Sequence, residues 1–150
     1  MSPIEWLMVA GLIVLTGVAF AIQGSDYLLG PRRTNDGRFR VGWFGSSFHV
    51  EDEEQLVRSD FAMRKTFLMW QSGFLVVTTK RLVWLPGTIA TTRHPWQVRR
   101  SHIALLHEQP RRGRLKDLTV ICPGIREQAF RCTEHVANAL RPVGLGEGAG

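Results

Sequence analysis

The hydrophobic pattern divides the chain in two. Residues 4–22, IEWLMVAGLIVLTGVAFAI, form a mostly apolar run with one charge, Glu5, near the outer end, whereas from Val41 onward apolar and polar positions mostly alternate with a period of two. The first pattern predicts a single helix. At ~1.5 Å per residue it reaches roughly 28 Å, close to the ~30 Å hydrocarbon core of a bilayer. Trp6 and Tyr27 lie near its two ends, where amphipathic rings favour the headgroup level. A helix also satisfies every backbone polar group internally, as lipid demands. A cleaved signal peptide is the rival reading, and Ala19-Phe20-Ala21 has the form of an A-x-A cleavage site. Against it, no Lys or Arg precedes the apolar run, and the run exceeds the ~7–15 residues of a signal h-region. Residues 1–23 are therefore expected to remain as a transmembrane anchor. Gly11 and Gly17 do not form a G-x-x-x-G dimer face.

Residues 24–40 read as a basic linker, with Gly24, Gly30, Pro31, an Asn35-Asp36-Gly37 turn signal, and Arg32, Arg33, Arg38 and Arg40. These arginines follow the apolar run and none precedes it, so the positive-inside rule places the N-terminus outside and the rest in the cytoplasm. Arg32 and Arg33 are the membrane-flanking candidates, placed against anionic headgroups.

Within residues 41–142 the clearest unit is GFLVVTTKRLVWLP at 73–86. Two β-branched and aromatic runs, 74–78 and 81–85, flank Thr79-Lys80 and read as a hairpin. Residues 54–63 contain an alternating run, and 67–70 is a short apolar one. Further strands are expected at 96–100, 103–107, 118–122 and 128–131, separated by Pro and Gly turn residues. Thr133 is a plausible N-cap for a last helix, with Glu134 in its first turn, a stripe of Val136, Ala137 and Leu140, and Arg141 before Pro142. The fold class is thus α+β: a small antiparallel barrel or sandwich closed by a C-terminal helix and preceded by one transmembrane helix. Trp43, Phe61, Phe74, Leu82 and Trp84 are the expected core, and residues 143–150 the expected flexible tail.

The stretch Gly73-Phe74-Leu75-Val76-Val77-Thr78-Thr79-Lys80-Arg81-Leu82-Val83-Trp84 resembles the central hairpin of GRAM and bacterial PH-like domains. In those a glycine and an apolar strand ending in Thr lead through a polar turn to Arg-Leu and an aromatic. The resemblance extends over residues 48–141. It implies a strand-rich barrel closed by a C-terminal helix, often tethered to a membrane, that acts as a binding module. The chain departs from the eukaryotic members in having no cluster of lysines in the first hairpin loop, so inositol-phosphate recognition is not implied.

Charge narrows the partners. The chain carries 19 Lys and Arg against 13 Asp and Glu, a formal net charge of +6, which favours anionic partners. The densest basic segment, residues 93–116, supplies Arg99, Arg100, Arg111, Arg112, Arg114 and Lys116 as candidates for an anionic contact surface, with Glu108 as its only acid. Arginine forks pair bidentately with phosphate; the plainer reading is a solvated loop facing the acidic run 51–54. No recognition-helix pattern supports nucleic acid. His94, His102, His107 and His135 lack metal-ligand spacing. The segment 45–49 is not a G-x-S-x-G elbow, and no phosphate-binding loop is present. Neither enzyme chemistry nor a cofactor or metal is expected. Cys122 and Cys132 flank a turn near 124–126 in a register that keeps them apart, so both are expected to be reduced. The expected function is a membrane-tethered, non-enzymatic module contacting a protein partner or anionic lipid headgroups; the alternative is an accessory subunit of a larger membrane complex.

Overall fold

In a computed structural model, residues 2–42, 45–87 and 94–141 are described. The first element is α1, Pro3–Leu29, a helix of 27 residues. It contains one stretch, Pro3–Ile22, long and apolar enough to cross a membrane, and none of that stretch is buried by the rest of the chain. Its start is sharply defined. The Ser2 amide donates to the Glu5 carboxylate (2.6 Å), and the Glu5 amide donates to Ser2 Oγ (3.3 Å), a capping box that satisfies two of the donors a helix leaves open. Glu5, the one charge in the apolar run, thus closes the helix terminus.

The stretch expected to be a linker holds regular structure instead. α1 continues to Leu29, and one residue later the chain enters β1, Pro31–Arg33. β2, Arg38–Val41, and β3, Ser47–His49, complete a three-stranded antiparallel sheet in the order β1-β2-β3. Asn35-Asp36-Gly37 does make the expected turn, with Gly37 at φ 76°, a left-handed conformation open to glycine.

The remaining strands are β4 (Leu56–Lys65), β5 (Trp70–Thr78), β6 (Arg81–Pro86), β7 (Trp96–Arg99), β8 (Leu105–Pro110), β9 (Leu115–Cys122) and β10 (Ile125–Thr133), followed by α2 (Glu134–Leu140). They form one antiparallel sheet in the order β7-β6-β5-β4-β10-β9-β8. The sheet curls over. Trp96 on β7 and Phe130 on β10 lie four places apart in that order, yet their ring centroids are 5.2 Å apart; a flat sheet at ~4.8 Å per strand would separate them by about 19 Å. Inside the curl, Ala62, Leu75, Val77, Leu82 and Trp84 meet Leu118, Val120 and Phe130, and Val136, Ala137 and Leu140 of α2 close the core. The expected α+β architecture is therefore the observed one.

A second core lies on the opposite face of β5 and β6, where Phe39, Val41 and Phe48 of the small sheet pack on Phe74, Val76, Val83 and Leu85. β6 is consequently buried on both faces, which explains a continuous apolar run where a half-buried strand would alternate. Of the expected core residues, Phe74, Leu82 and Trp84 are buried, Phe61 packs on the second core while partly exposed, and Trp43 lies outside the described residues. The tail at 143–150 also lies outside them.

Two local expectations change. Thr133 occupies the N-cap position of α2 but makes no side-chain cap; its hydroxyl donates to Asp60 instead (2.8 Å). The β9–β10 turn is Pro123-Gly124, tighter than the 124–126 expected, so Cys122 faces Ile125 and Cys132 faces Lys116. The thiols stay apart as anticipated, both reduced and buried.

Candidate functional site

The six basic residues singled out from the sequence do not converge. Arg99, at the end of β7, contacts Glu51 at 3.5 Å. Arg100 donates to the carbonyls of Thr78 (3.3 Å) and Ala139 (3.4 Å), placing its charge at the C-terminal end of α2, where the helix dipole favours a cation. The others sit on the β8–β9 hairpin, at the opposite end of that helix, where the Glu134 amide donates to the Arg114 carbonyl (3.0 Å). There Arg111 pairs with Asp117 (2.6 Å), which also takes Arg131 (3.1 Å), and Lys116 pairs with Glu108 (3.3 Å), which also takes Arg141 (2.9 Å). Burial alone would raise the Asp117 carboxyl, but hydrogen bonds from Arg111 and Arg131 hold it below its ordinary value. Arg141 is the larger cause of the same depression at Glu108. Arg112 and Arg114 remain as exposed cations at the hairpin tip, and Arg32 and Arg33 are exposed on β1. Four of the six therefore find partners within the domain, and Arg111 and Lys116 do so through carboxylates that also take Arg131 and Arg141.

The acidic run 51–54 is structural too. Its turn is closed by the Glu54 amide on the Glu51 carbonyl (3.1 Å), with Glu53 at φ 61°, and it swings Glu54 inward. The Glu54 carboxylate accepts from Arg81 Nε (2.9 Å), Arg81 Nη2 (2.5 Å) and the Thr78 hydroxyl (2.6 Å). Arg81 further donates to Gln97 Oε1 (2.8 Å) and to the His49 carbonyl (2.7 Å), so one guanidinium joins β6, β7 and the small sheet. Burial opposes ionisation of Glu54; the Arg81 and Thr78 hydrogen bonds overcome it and hold the carboxyl at about 2.

The opposite end of the curled sheet differs in character. The β4–β5 turn is pinned by Thr66, whose amide (2.9 Å) and hydroxyl (2.8 Å) both donate to the Met69 carbonyl. Phe67 and Leu68 at its tip are 88% and 82% exposed, so the apolar run at 67–70, which hydrophobicity alone would bury, is mostly a protruding tip. The β9–β10 turn lies alongside, tied by Gln128 Nε2 donating to the Lys65 carbonyl (2.7 Å), and it adds the exposed Ile125. Between the turns an open cavity of about 820 Å³ is lined by Arg64, Phe67, Trp96, Ile125, Arg126 and Gln128, among others. The Arg64 guanidinium stands 5.4 Å from the Trp84 ring and 5.8 Å from the Trp96 ring. Its Nε is buried without a hydrogen-bond partner among the described residues, and burial lowers its pKa. Such an arrangement can accept an anionic group beside an apolar surface. Among the described residues no group of three or more His, Cys, Asp or Glu could hold a metal ion.

Sequence reading missed this end. The available signal was Phe67-Leu68-Met69 falling between two long strands, with Lys65 and Arg126 beside it. The pairing of Glu54 with Arg81 carried no local signal, because the two meet only in the fold.

No family model and no curated protein matches the chain. Solved structures similar to it include the C-terminal domain of an unknown protein from Leishmania infantum, with TM-score 0.47 and 14% identity over 58% of this chain and 81% of that one. The Vps36 N-terminal PH domain is similar at TM-score 0.47 and 12% identity, over 73% of this chain and 89% of that one.

Proposed function

We propose that this protein is a membrane-tethered, non-enzymatic binding module of the PH-like kind, with α1 spanning the membrane, its N-terminus outside and the β-rich domain in the cytoplasm. The observation that carries the reading is the junction: an apolar helix able to cross a bilayer runs through Gly30 alone into a strand of the folded domain. An anchor continuous with the fold keeps the domain at the bilayer surface, where weak contacts orient it. Arg32, Arg33, Arg38 and Arg40 after the helix, with none before it, favour the cytoplasmic side. A bent antiparallel sheet closed by a C-terminal helix, together with the 73–84 hairpin pattern, supports the PH-like reading. Of the two partner classes, anionic headgroups are favoured, because Arg64, Lys65 and Arg126 line one open cavity.

The test is alkaline carbonate extraction of membranes containing the full chain, with a reporter fused at the C-terminus. Retention in the pellet and a reporter shielded from the exterior are expected. Release into the supernatant, or a reporter accessible from outside, overturns the proposal. The second reading, an accessory subunit of a membrane complex, is favoured by the outer edge of β8, unpaired among the described residues, which exposes Leu105 and offers main-chain groups for strand addition. Co-purification of a stoichiometric protein after mild detergent extraction would select it.

A further inference from the structure

We propose that Arg32, Arg38 and Arg40, on the outer face of the small sheet, take the phosphates of anionic lipid headgroups in the leaflet from which α1 emerges. This rests on the anchor reading above and concerns a different site from the cavity at Arg64. Strand alternation makes the face. Phe39 and Val41 are buried in the second core, so Arg38 and Arg40, which alternate with them, point the other way. Arg32 is the cross-strand partner of Arg40, and Ser47 lies opposite Arg40 on β3, which puts all of them on that outer face. Arg38 Nε donates to Ser47 Oγ (3.1 Å). Like charges directly opposite each other destabilise a sheet, yet among the described residues no ion pair reaches Arg32, Arg38 or Arg40. Asp36, in the turn between β1 and β2, is hydrogen-bonded by Thr34; beyond that bond Arg38 and Arg40 lower its carboxyl only through their field. Three guanidinium groups against one acid leave the face cationic. Opposed residues stand ~4.5–5.5 Å apart at Cβ, so one phosphate can take a fork from Arg32 and another from Arg40 and relieve their repulsion.

Chain continuity brings these charges to the lipid. The 27 residues of α1 extend about 40 Å at ~1.5 Å each, comparable to the ~40–45 Å of a bilayer with its headgroups, so Leu29 lies at headgroup level. Arg32 follows three residues later, within ~10 Å of fully extended chain, and register sets Arg40 beside it. The reach of an arginine side chain returns both charges to the ~8 Å over which an anionic surface acts at physiological salt. The inner face of the sheet is occupied by the second core, so the outer face is the one free to meet headgroups. Arg33 supplies the contrast. It is as near to the helix as Arg32 and equally charged, but it pairs with Phe39 and leaves the strand on the inner side. Distance along the chain would rank Arg33 above Arg40; the register of the sheet ranks Arg40 above Arg33.

The full chain in an uncharged detergent is titrated with phosphatidylserine or phosphatidylcholine, and native mass spectrometry counts the bound lipids. The parent should prefer phosphatidylserine. Arg32→Gln and Arg40→Gln should each weaken phosphatidylserine binding on the order of fivefold, the size of one arginine contact at an anionic surface, whereas Arg33→Gln should stay within about twofold of the parent, since its charge lies off the face. Equal losses for Arg33→Gln and Arg40→Gln overturn the proposal, because charge near the helix then suffices. So does a preference that survives both Arg32→Gln and Arg40→Gln but is lost in Arg64→Gln, which assigns the lipid to the cavity. No preference for phosphatidylserine overturns it as well, and the anchor still stands if alkaline carbonate leaves the chain in the membrane pellet; release by carbonate overturns both. Urea denaturation in the same detergent separates binding from folding. Removing a cross-strand repulsion should leave the midpoint of Arg40→Gln equal to or above that of the parent, and a lowered midpoint would show that Arg40 holds the sheet together, against the assignment.

Discussion

The Glu54–Arg81 pair should be the most sensitive polar contact in the domain, and its removal can be quantified. The Glu54 side chain is fully buried and that of Arg81 is 10% exposed. Replacing Glu54 by Ala strands a guanidinium that also holds Gln97 and the His49 carbonyl. Breaking one side of a buried pair costs about 3–5 kcal/mol. The depressed Glu54 carboxyl leads to a figure of similar size. Glu54 falls from 4.5 to about 2 on folding, and at ~1.36 kcal/mol per pKa unit this corresponds to about 3 kcal/mol. Because the folded value is the lower one, this stabilisation is complete above the unfolded pKa and is lost as pH falls from about 4.5 towards 2. The assay is urea denaturation of the full chain in a mild detergent, followed by tryptophan fluorescence, for the parent, Glu54→Ala, Arg81→Ala and the double variant, repeated at falling pH. Each single variant should lose about 3 kcal/mol, and the double much less than the sum, since each alone leaves the other charge unpaired. The acid-induced loss should also be smaller in Glu54→Ala than in the parent. Additive losses, or a Glu54→Ala cost below about 1 kcal/mol, would refute the account, because an exposed pair behaves that way.

Gly73→Ala should destabilise the domain by about 1–3 kcal/mol in the same denaturation assay, since an added Cβ would collide with the Leu85 carbonyl and lie 2.9 Å from Trp84 ring atoms. Charge reversal at Arg112 and Arg114 should change stability by no more than about 0.5 kcal/mol, as expected for surface positions without partners among the described residues, whereas Arg131→Ala should cost more by uncoupling Asp117 and uncovering the Trp70 ring 4.4 Å from its guanidinium. Cys132, pushed up to about 12 by burial, should resist a thiol reagent at neutral pH until urea unfolds the chain; rapid labelling of the native state would show that the β10 strand opens readily.

The sequence alone determined the elements whose stability is local or periodic. The apolar helix, the 74–78 and 81–85 hairpin with its turn at Thr79-Lys80, and the closing helix could be read because apolar periodicity and turn chemistry act over a few residues. The small sheet that begins inside the supposed linker was not legible: β1 to β3 are short, β1 and β2 are rich in arginine, and the sheet is ordered by packing on the second face of β5 and β6. The roles of the charges were decided by tertiary structure as well. Arg81 was visible only as part of a hairpin pattern, and its partner Glu54 lies 27 residues earlier. Arg111 and Lys116 read as contact residues until strand register set Asp117 and Glu108 beside them. Burial was likewise undecided for Phe67 and Leu68, whose hydrophobicity argues for a core, whereas the turn pinned by Thr66 holds them in the open. A residue's chemistry sets what it can do, and long-range strand pairing selects which partner, or which solvent, it meets.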